Sequence, residues 1–178
     1  MRLNSVSSPG KNILITGLPG VGKTTLIKKI SEQLRVLHPV GFYTAEIREK
    51  GVRKGFELIS FDGRMGILSH TDIKGPYRVG KYGVDIKGFE DFLESTPFLN
   101  PATNLIVIDE IGKMECLSRK FIGLIKNILD SEKQVIATIA LKGGGLIEET
   151  KKRDDIRIIE ITQSNRESLV SEVLKLLN

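Results

Sequence analysis

The chain has 178 residues, 40% of them hydrophobic and 28% charged, with a formal net charge of +5. That balance is ordinary for a soluble globular protein, and the length suits one domain with a sizeable core. The mild positive charge fits an anionic partner, but no block of five or six like charges marks a nucleic-acid tail. Residues 1 to 11 read as a loose leader of Ser, Pro and Gly, ahead of a single domain. Asn12 to Thr16 reads as a buried strand. Lys23 to about Leu37 reads as a helix, because Leu26, Ile27, Ile30 and Leu34 recur at helical spacing and Pro39 follows. Val40 to Glu49 is strand-like, Gly51 and Val52 turn the chain, and Gly55 to Asp62 forms the second arm of a hairpin. Met65 to Ser69 adds a short strand.

The section from His70 to Gly88 reads as loop around a short strand at Tyr82 to Ile86, and Phe89 to Glu94 starts a short helix. Leu105 to Asp109 is a continuous apolar run ending in a carboxylate, which suits a central strand of a parallel sheet. Ser118 to Asp130 is an amphipathic helix, Gln134 to Ala140 a buried strand, and Leu146 to about Lys152 a short helix. Ile156 to Ile161 is the last strand, and Asn165 caps a final helix. Strands alternating with helices after Leu105 imply an α/β fold. Its sheet is mostly parallel with helices on both faces, and the Val40 to Ser69 region adds antiparallel strands.

Cys116 is the only cysteine, so an intrachain disulfide and a thiolate metal cluster are excluded. His38 and His70 have no partners at ligand spacing. No apolar stretch reaches about 18 residues, and the polar start MRLNSVSSPGKN lacks the apolar middle of a signal peptide. A cytoplasmic protein without membrane partners is expected.

Gly17-Leu18-Pro19-Gly20-Val21-Gly22-Lys23-Thr24 fits G-x-x-x-x-G-K-[ST] in full, with a strand before and a helix after. Glycines let the backbone curl until successive N–H groups surround phosphate oxygens, and the helix adds its positive end. Lys23 would reach the β- and γ-phosphates and the Thr24 hydroxyl would coordinate Mg²⁺. About 85 residues on, LIVIDE (Leu105 to Glu110) delivers Asp109 and Glu110 at a strand's C-terminal end, where α/β sheets bind ligands. Asp109 would hold Mg²⁺ from the other side. Glu110 can orient and polarise a water for attack on the γ-phosphorus.

On these motifs the chain resembles the THEP1-type nucleoside-triphosphatases, P-loop NTPases of the additional-strand, catalytic-glutamate division. The resemblance also rests on GFYTAEIREKGVRKGFELI (Gly41 to Ile59), VGKYGVDI (Val79 to Ile86) and LIVIDEIGKMEC (Leu105 to Cys116). It implies a three-layer sandwich and Mg²⁺-dependent hydrolysis of ATP, GTP, CTP, UTP and TTP to diphosphate and phosphate, with little base selectivity. It further implies that Gly17 to Thr24 and Leu105, Ile106, Val107, Ile108, Asp109, Glu110, Ile111 and Gly112 contact the nucleotide, with Lys23 and Glu110 catalytic. Cys116 stands where the family most often has Leu, a change expected to affect only packing. The expected partners are nucleoside triphosphates, without obligate nucleic acid, bound by a monomer.

Charge on the transferred phosphoryl group calls for a cation beyond Lys23. Arg48, Arg119, Arg153 and Lys113 are candidates. Glu46 can face the site, Thr138 can sense the γ-phosphate, and Tyr43, Tyr77 or Tyr82 can stack on a base. Two alternatives stay open: a small-molecule kinase using the same loop, with a pocket in the His70 to Gly88 section, and a nucleotide-dependent switch for a protein partner.

Overall fold

A computed structural model describes residues 11–177, so all of the expected leader except Lys11 lies outside the described residues. Nine strands form one sheet: β1 (Asn12–Thr16), β2 (Val40–Glu49), β3 (Val52–Ser60), β4 (Met65–His70), β5 (Arg78–Val79), β6 (Tyr82–Val84), β7 (Leu105–Ile111), β8 (Gln134–Ile139) and β9 (Ile156–Glu160). Among the described residues five α-helices cover it: α1 (Lys23–Gln33), α2 (Ile86–Glu94), α3 (Arg119–Asp130), α4 (Leu146–Lys151) and α5 (Leu169–Leu176). The strand order is β5-β6-β4-β3-β2-β7-β8-β1-β9. From β2 to β9 every pairing is parallel, and from β2 to β5 every pairing is antiparallel. The sheet therefore divides into a parallel half and an antiparallel extension, joined where β2 lies beside β7.

Alternation along the parallel strands builds two cores, because successive side chains leave opposite faces. Ile13, Ile15, Leu105 and Val107 meet Leu26, Ile27 and Ile30 of α1 and Leu169 and Val173 of α5. Leu14, Ile106 and Ile108 meet Phe89 and Phe92 of α2 and Phe121, Ile125 and Ile128 of α3. Both faces being covered explains why these strands read as continuous apolar runs. β8 lies between β1 and β7, so the strand carrying the phosphate-loop motif is separated from the strand ending in Asp109 and Glu110.

Three local readings change. The hairpin turn is Lys50–Gly51, and Val52 already belongs to β3. α2 begins at Ile86, three residues early, because the Asp85 carboxylate accepts from Gly88 N at 2.9 Å and caps it. α5 begins at Leu169, not after Asn165. The Asn165 amide instead closes the turn after β9: its oxygen accepts from Thr162 N at 2.7 Å and its nitrogen donates to Glu160 O at 2.9 Å. Among the described residues, no helix is long and apolar enough to cross a membrane.

Candidate active site

The loop from Gly17 to Thr24 joins β1 to α1 at the C-terminal edge of the parallel strands. Gly22, at φ 112°, occupies the N-cap position of α1 in a left-handed conformation that other residues rarely adopt. No side chain caps that helix end, so its first amides remain directed at the cavity above. Lys23 folds back over the loop, its Nζ donating to Gly17 O at 3.0 Å and Leu18 O at 3.4 Å.

β7 delivers the facing acids. The β7–β8 register shifts between Ile108 and Ile111, where the Asp109–Glu110 peptide is cis. Asp109 is 1% exposed, and its burial is matched by hydrogen bonds. Oδ1 accepts from Thr138 Oγ1 at 2.6 Å, and Oδ2 accepts from Thr24 Oγ1 at 2.6 Å and from Thr44 Oγ1 at 3.4 Å. Thr138 thus holds Asp109 from behind. The paired Thr24 hydroxyl and Asp109 carboxyl are hard oxygen donors suited to a small divalent cation. Among the described residues no cluster of three or more His, Cys, Asp or Glu forms a metal site, so such a cation would complete its shell with water and substrate oxygens.

Glu110 is half-buried, with Oε2 3.9 Å from Lys23 Nζ. Burial raises its pKa above the usual carboxylate range; Lys23 opposes the shift and Asp109 adds to it. Beside it, burial pushes the Glu115 carboxyl up to about 8, with the charges of Glu110 and Asp109 adding to the shift. Both carboxyl groups crowd the Cα of Gly112, where a Cβ would stand 2.7 Å from Glu110 Oε1 and 2.8 Å from Glu115 Oε2. Cys116 packs against the core on the α3 side, and burial pushes its thiol up to about 12, leaving it inert at neutral pH.

These groups line a cavity of about 950 Å³. Gly17, Leu18, Pro19, Gly20, Gly22, Lys23, Thr24, Asp109, Glu110 and Lys113 all line it. Val21 instead packs under the loop against the α1 core. Leu105, Ile106, Val107 and Ile108 are 1% exposed or less and fill the two cores, while Ile111 and Gly112 are buried off the lining. Of the expected Leu105 to Gly112 segment, only Asp109 and Glu110 line the cavity. A strand buried on both faces has no side to offer a ligand until it ends.

The three arginines expected from the sequence are not in the lining. Arg48 binds Glu46 and Gly51 O, Arg119 is exposed at the start of α3, and Arg153 is held between Asp130 and Asp155. Arg53, Lys28 and Lys142 line the cavity instead, together with Thr44, Glu46 and Glu115. Tyr43 lies under Lys28, 4.2 Å from its Nζ, and Tyr82 accepts from Arg53 at 2.9 Å. Period-two spacing from Thr44 to Glu46 points Glu46 at the site. A bulge between Ile47 and Arg48 then resets the register, and no sequence signal places Arg53.

In sheet order, loop and acid pair, this is a P-loop NTPase fold. A family model described as NTPase matches residues 12–174. The nucleoside-triphosphatase THEP1 of Thermotoga sp. (strain RQ2) is 51% identical over 166 residues, covering 93% of this chain and 94% of its own. The cancer-related nucleoside-triphosphatase of Homo sapiens is 38% identical over 182 residues, covering 92% and 95%. The crystal structure of THEP1 from the hyperthermophile Aquifex aeolicus superimposes with a TM-score of 0.82 at 36% identity, covering 94% of this chain and 99% of that one. The chain belongs to the THEP1-type nucleoside-triphosphatase family.

Proposed function

We propose that this protein hydrolyses nucleoside triphosphates to the diphosphate and inorganic phosphate by in-line attack of water, with Mg²⁺ and little selection among bases. The observation that carries the reading is the Glu110 carboxyl at the end of β7, 3.9 Å from the phosphate-loop lysine and raised in pKa by burial. A base of raised proton affinity in a partly desolvated cleft can take the proton of an attacking water. Loop amides and the N-terminus of α1 receive the phosphates, and Lys23 exchanges its loop carbonyls for β- and γ-phosphate oxygens. Thr24 and Asp109 would hold Mg²⁺, which when bound supplies positive charge against the β- and γ-phosphates. Contacts of this kind read phosphate and carry no base information, which supports loose base selection. Action as a monomer on a small-molecule substrate, without nucleic acid, completes the reading. The free thiol of Cys116 is compatible with a cytoplasmic setting.

The test is phosphate release by pure protein from ATP, GTP, CTP and UTP, with Mg²⁺ and with a chelator. Release from all four within about tenfold of one another, lost on chelation, is expected. Glu110→Gln should lower turnover about 10²- to 10⁴-fold while nucleotide affinity is kept; unchanged turnover would overturn the role of Glu110. A second reading, phosphoryl transfer to a small acceptor, is favoured by one observation. Phe56, Leu68, Val79 and Met114 add an apolar wall to the same cavity. Strict dependence of turnover on an added alcohol or nucleotide would select it.

A further inference from the structure

We propose that Arg53 meets the γ-phosphate in the transition state, and that Glu46 and Tyr82 hold it at the cavity edge until a triphosphate arrives. The inference rests on the hydrolytic reading above and identifies the cation that reading lacks. As phosphoryl transfer proceeds, negative charge on the phosphate oxygens exceeds what one lysine can neutralise. Five cations line the cavity: Lys23, Lys28, Arg53, Lys113 and Lys142. Lys28 is engaged on the Tyr43 ring. Arg53 is the one guanidinium among the lining residues, and its planar fork matches phosphate geometry.

Its position follows from the strands. Thr44 and Glu46 share a face of β2, because alternate residues point the same way. Thr44 Oγ1 reaches Asp109 Oδ2 at 3.4 Å. Glu46 stands two residues further, about 7 Å along the strand, and its Oε1 accepts from Arg53 Nη1 at 2.8 Å. The Arg53–Glu46 contact therefore lies about one strand repeat along β2 from the Thr44–Asp109 contact, in the same cavity. A polyphosphate gripped by the loop and Lys23 directs its γ end towards Asp109 and Glu110, and so towards Arg53.

The contacts that hold Arg53 are of a kind a phosphate can replace. Nε donates to Tyr82 Oη at 2.9 Å, and the guanidinium lies over the Phe56 and Tyr82 rings at 5.1 and 5.8 Å. Among the described residues its Nη2 makes no hydrogen bond. The side chains of Arg53 and Glu46 are 44% and 36% exposed, so their pairing is weakly held. Arg48 donates to the other Glu46 oxygen, Oε2, through Nε at 2.8 Å, and its Nη2 forms an ion pair with the same oxygen at 2.6 Å. When Arg53 leaves, Glu46 keeps a cationic partner and no carboxylate is stranded. In the step itself, the water oxygen bonds to the γ-phosphorus and the bond to the β–γ bridging oxygen breaks. Glu110 receives the water proton, the nucleoside diphosphate leaves, and Arg53 transfers no proton.

Arg53→Ala should lower kcat about a thousandfold, while the Kd for Mg²⁺ with a non-hydrolysable triphosphate stays within about threefold. The parent protein should form a tight complex with Mg-ADP and aluminium fluoride, which Arg53→Ala should abolish without abolishing Mg-ADP binding. A role limited to bracing the hairpin would move melting temperature and all affinities together and leave the fluoride complex intact. Arg53→Lys, which keeps the charge and loses the fork, should restore folding but only part of kcat, and serves if the alanine variant does not fold. Turnover within threefold of the parent in either variant, or an undiminished fluoride complex, overturns the proposal. A parent that releases no phosphate from any triphosphate defeats the hydrolytic reading itself, a separate outcome.

Discussion

The two halves of the sheet supply the cavity in different ways. The parallel half presents groups at the ends of buried strands: Asp109 is fixed by 2.6 Å bonds from Thr24 and Thr138, and the residues behind it fill two cores. The antiparallel extension presents exposed, exchangeable groups: the Glu46 ion pairs, and a Thr44 contact at the 3.4 Å limit of a hydrogen bond. Groups that must keep one geometry in every state of a reaction belong on rigid elements. Groups that must change partner belong where little free energy opposes the exchange. If Arg53 changes partner as proposed, the difference in burial corresponds to a difference in task.

The largest effect expected from the parallel half is at the phosphate loop. On the proposed function Lys23→Ala removes the amine that meets the polyphosphate, and kcat/KM should fall about 10³-fold. A fall below tenfold would show that the loop amides suffice and that the lysine belongs among the replaceable groups. Next in size is the seam between the halves. Gly41 of β2 pairs with Val107 of β7 at φ 141°, and a Cβ there would lie 1.8 Å from Val107 O. No rotamer relieves a clash between a Cβ and a backbone oxygen. Gly41→Ala should cost about 3 kcal/mol or more in urea unfolding. Stability within about 1 kcal/mol of the parent would mean that the halves are not joined as tightly as the register indicates.

Legibility in the sequence divides along the same seam. The loop, the buried strand ahead of it and the acids ending β7 are local patterns, each set by a few consecutive residues. Leu105 to Ile108 belong to the motif yet face only core, because a motif records what a strand needs as well as what a ligand touches. Asp85 could have been read as a cap three residues ahead of Gly88. Asn165 has the right chemistry for a cap but spends it on the turn at Thr162. Arg53 was beyond reach, since its place depends on a bulge and on pairing between β2 and β3. Sequence alternation counts residues along one strand and cannot register an insertion opposite its partner.

Two glutamates of the cavity extend the comparison to pH. Hydrogen bonds from Arg53 and then Arg48 hold the Glu46 carboxyl below its usual range, so it stays charged. Glu115 is instead held neutral by burial, to about pH 8. The folded chain keeps this proton while the unfolded chain releases it near the ordinary value of 4.5, so between about 4.5 and about 8 the folded state binds more protons. Stability from this group is therefore lost as pH rises through that interval. Glu115→Gln should flatten the dependence and exceed the parent at pH 8 by on the order of 2 kcal/mol. Parallel pH profiles of melting temperature for the two proteins would remove Glu115 as the cause.

The smallest test compares two of the three threonines that reach Asp109, those on the strands flanking β7. Thr138 on β8 donates to Oδ1 at 2.6 Å and is fully buried; Thr44 on β2 reaches Oδ2 at 3.4 Å in a half-buried setting. Valine at either place keeps the branched shape and removes the hydroxyl. A buried hydrogen bond to a carboxylate contributes about 1.5–3 kcal/mol, so Thr138→Val should lower unfolding free energy by about 1.5 kcal/mol. Thr44→Val should change it by less than about 0.5 kcal/mol, because water can replace a long contact at a cavity wall. If both substitutions cost the same, Asp109 is held as firmly by the extension as by the core. The site would then be one rigid cradle, and an arginine in the same extension would have no more freedom to change partners than the aspartate.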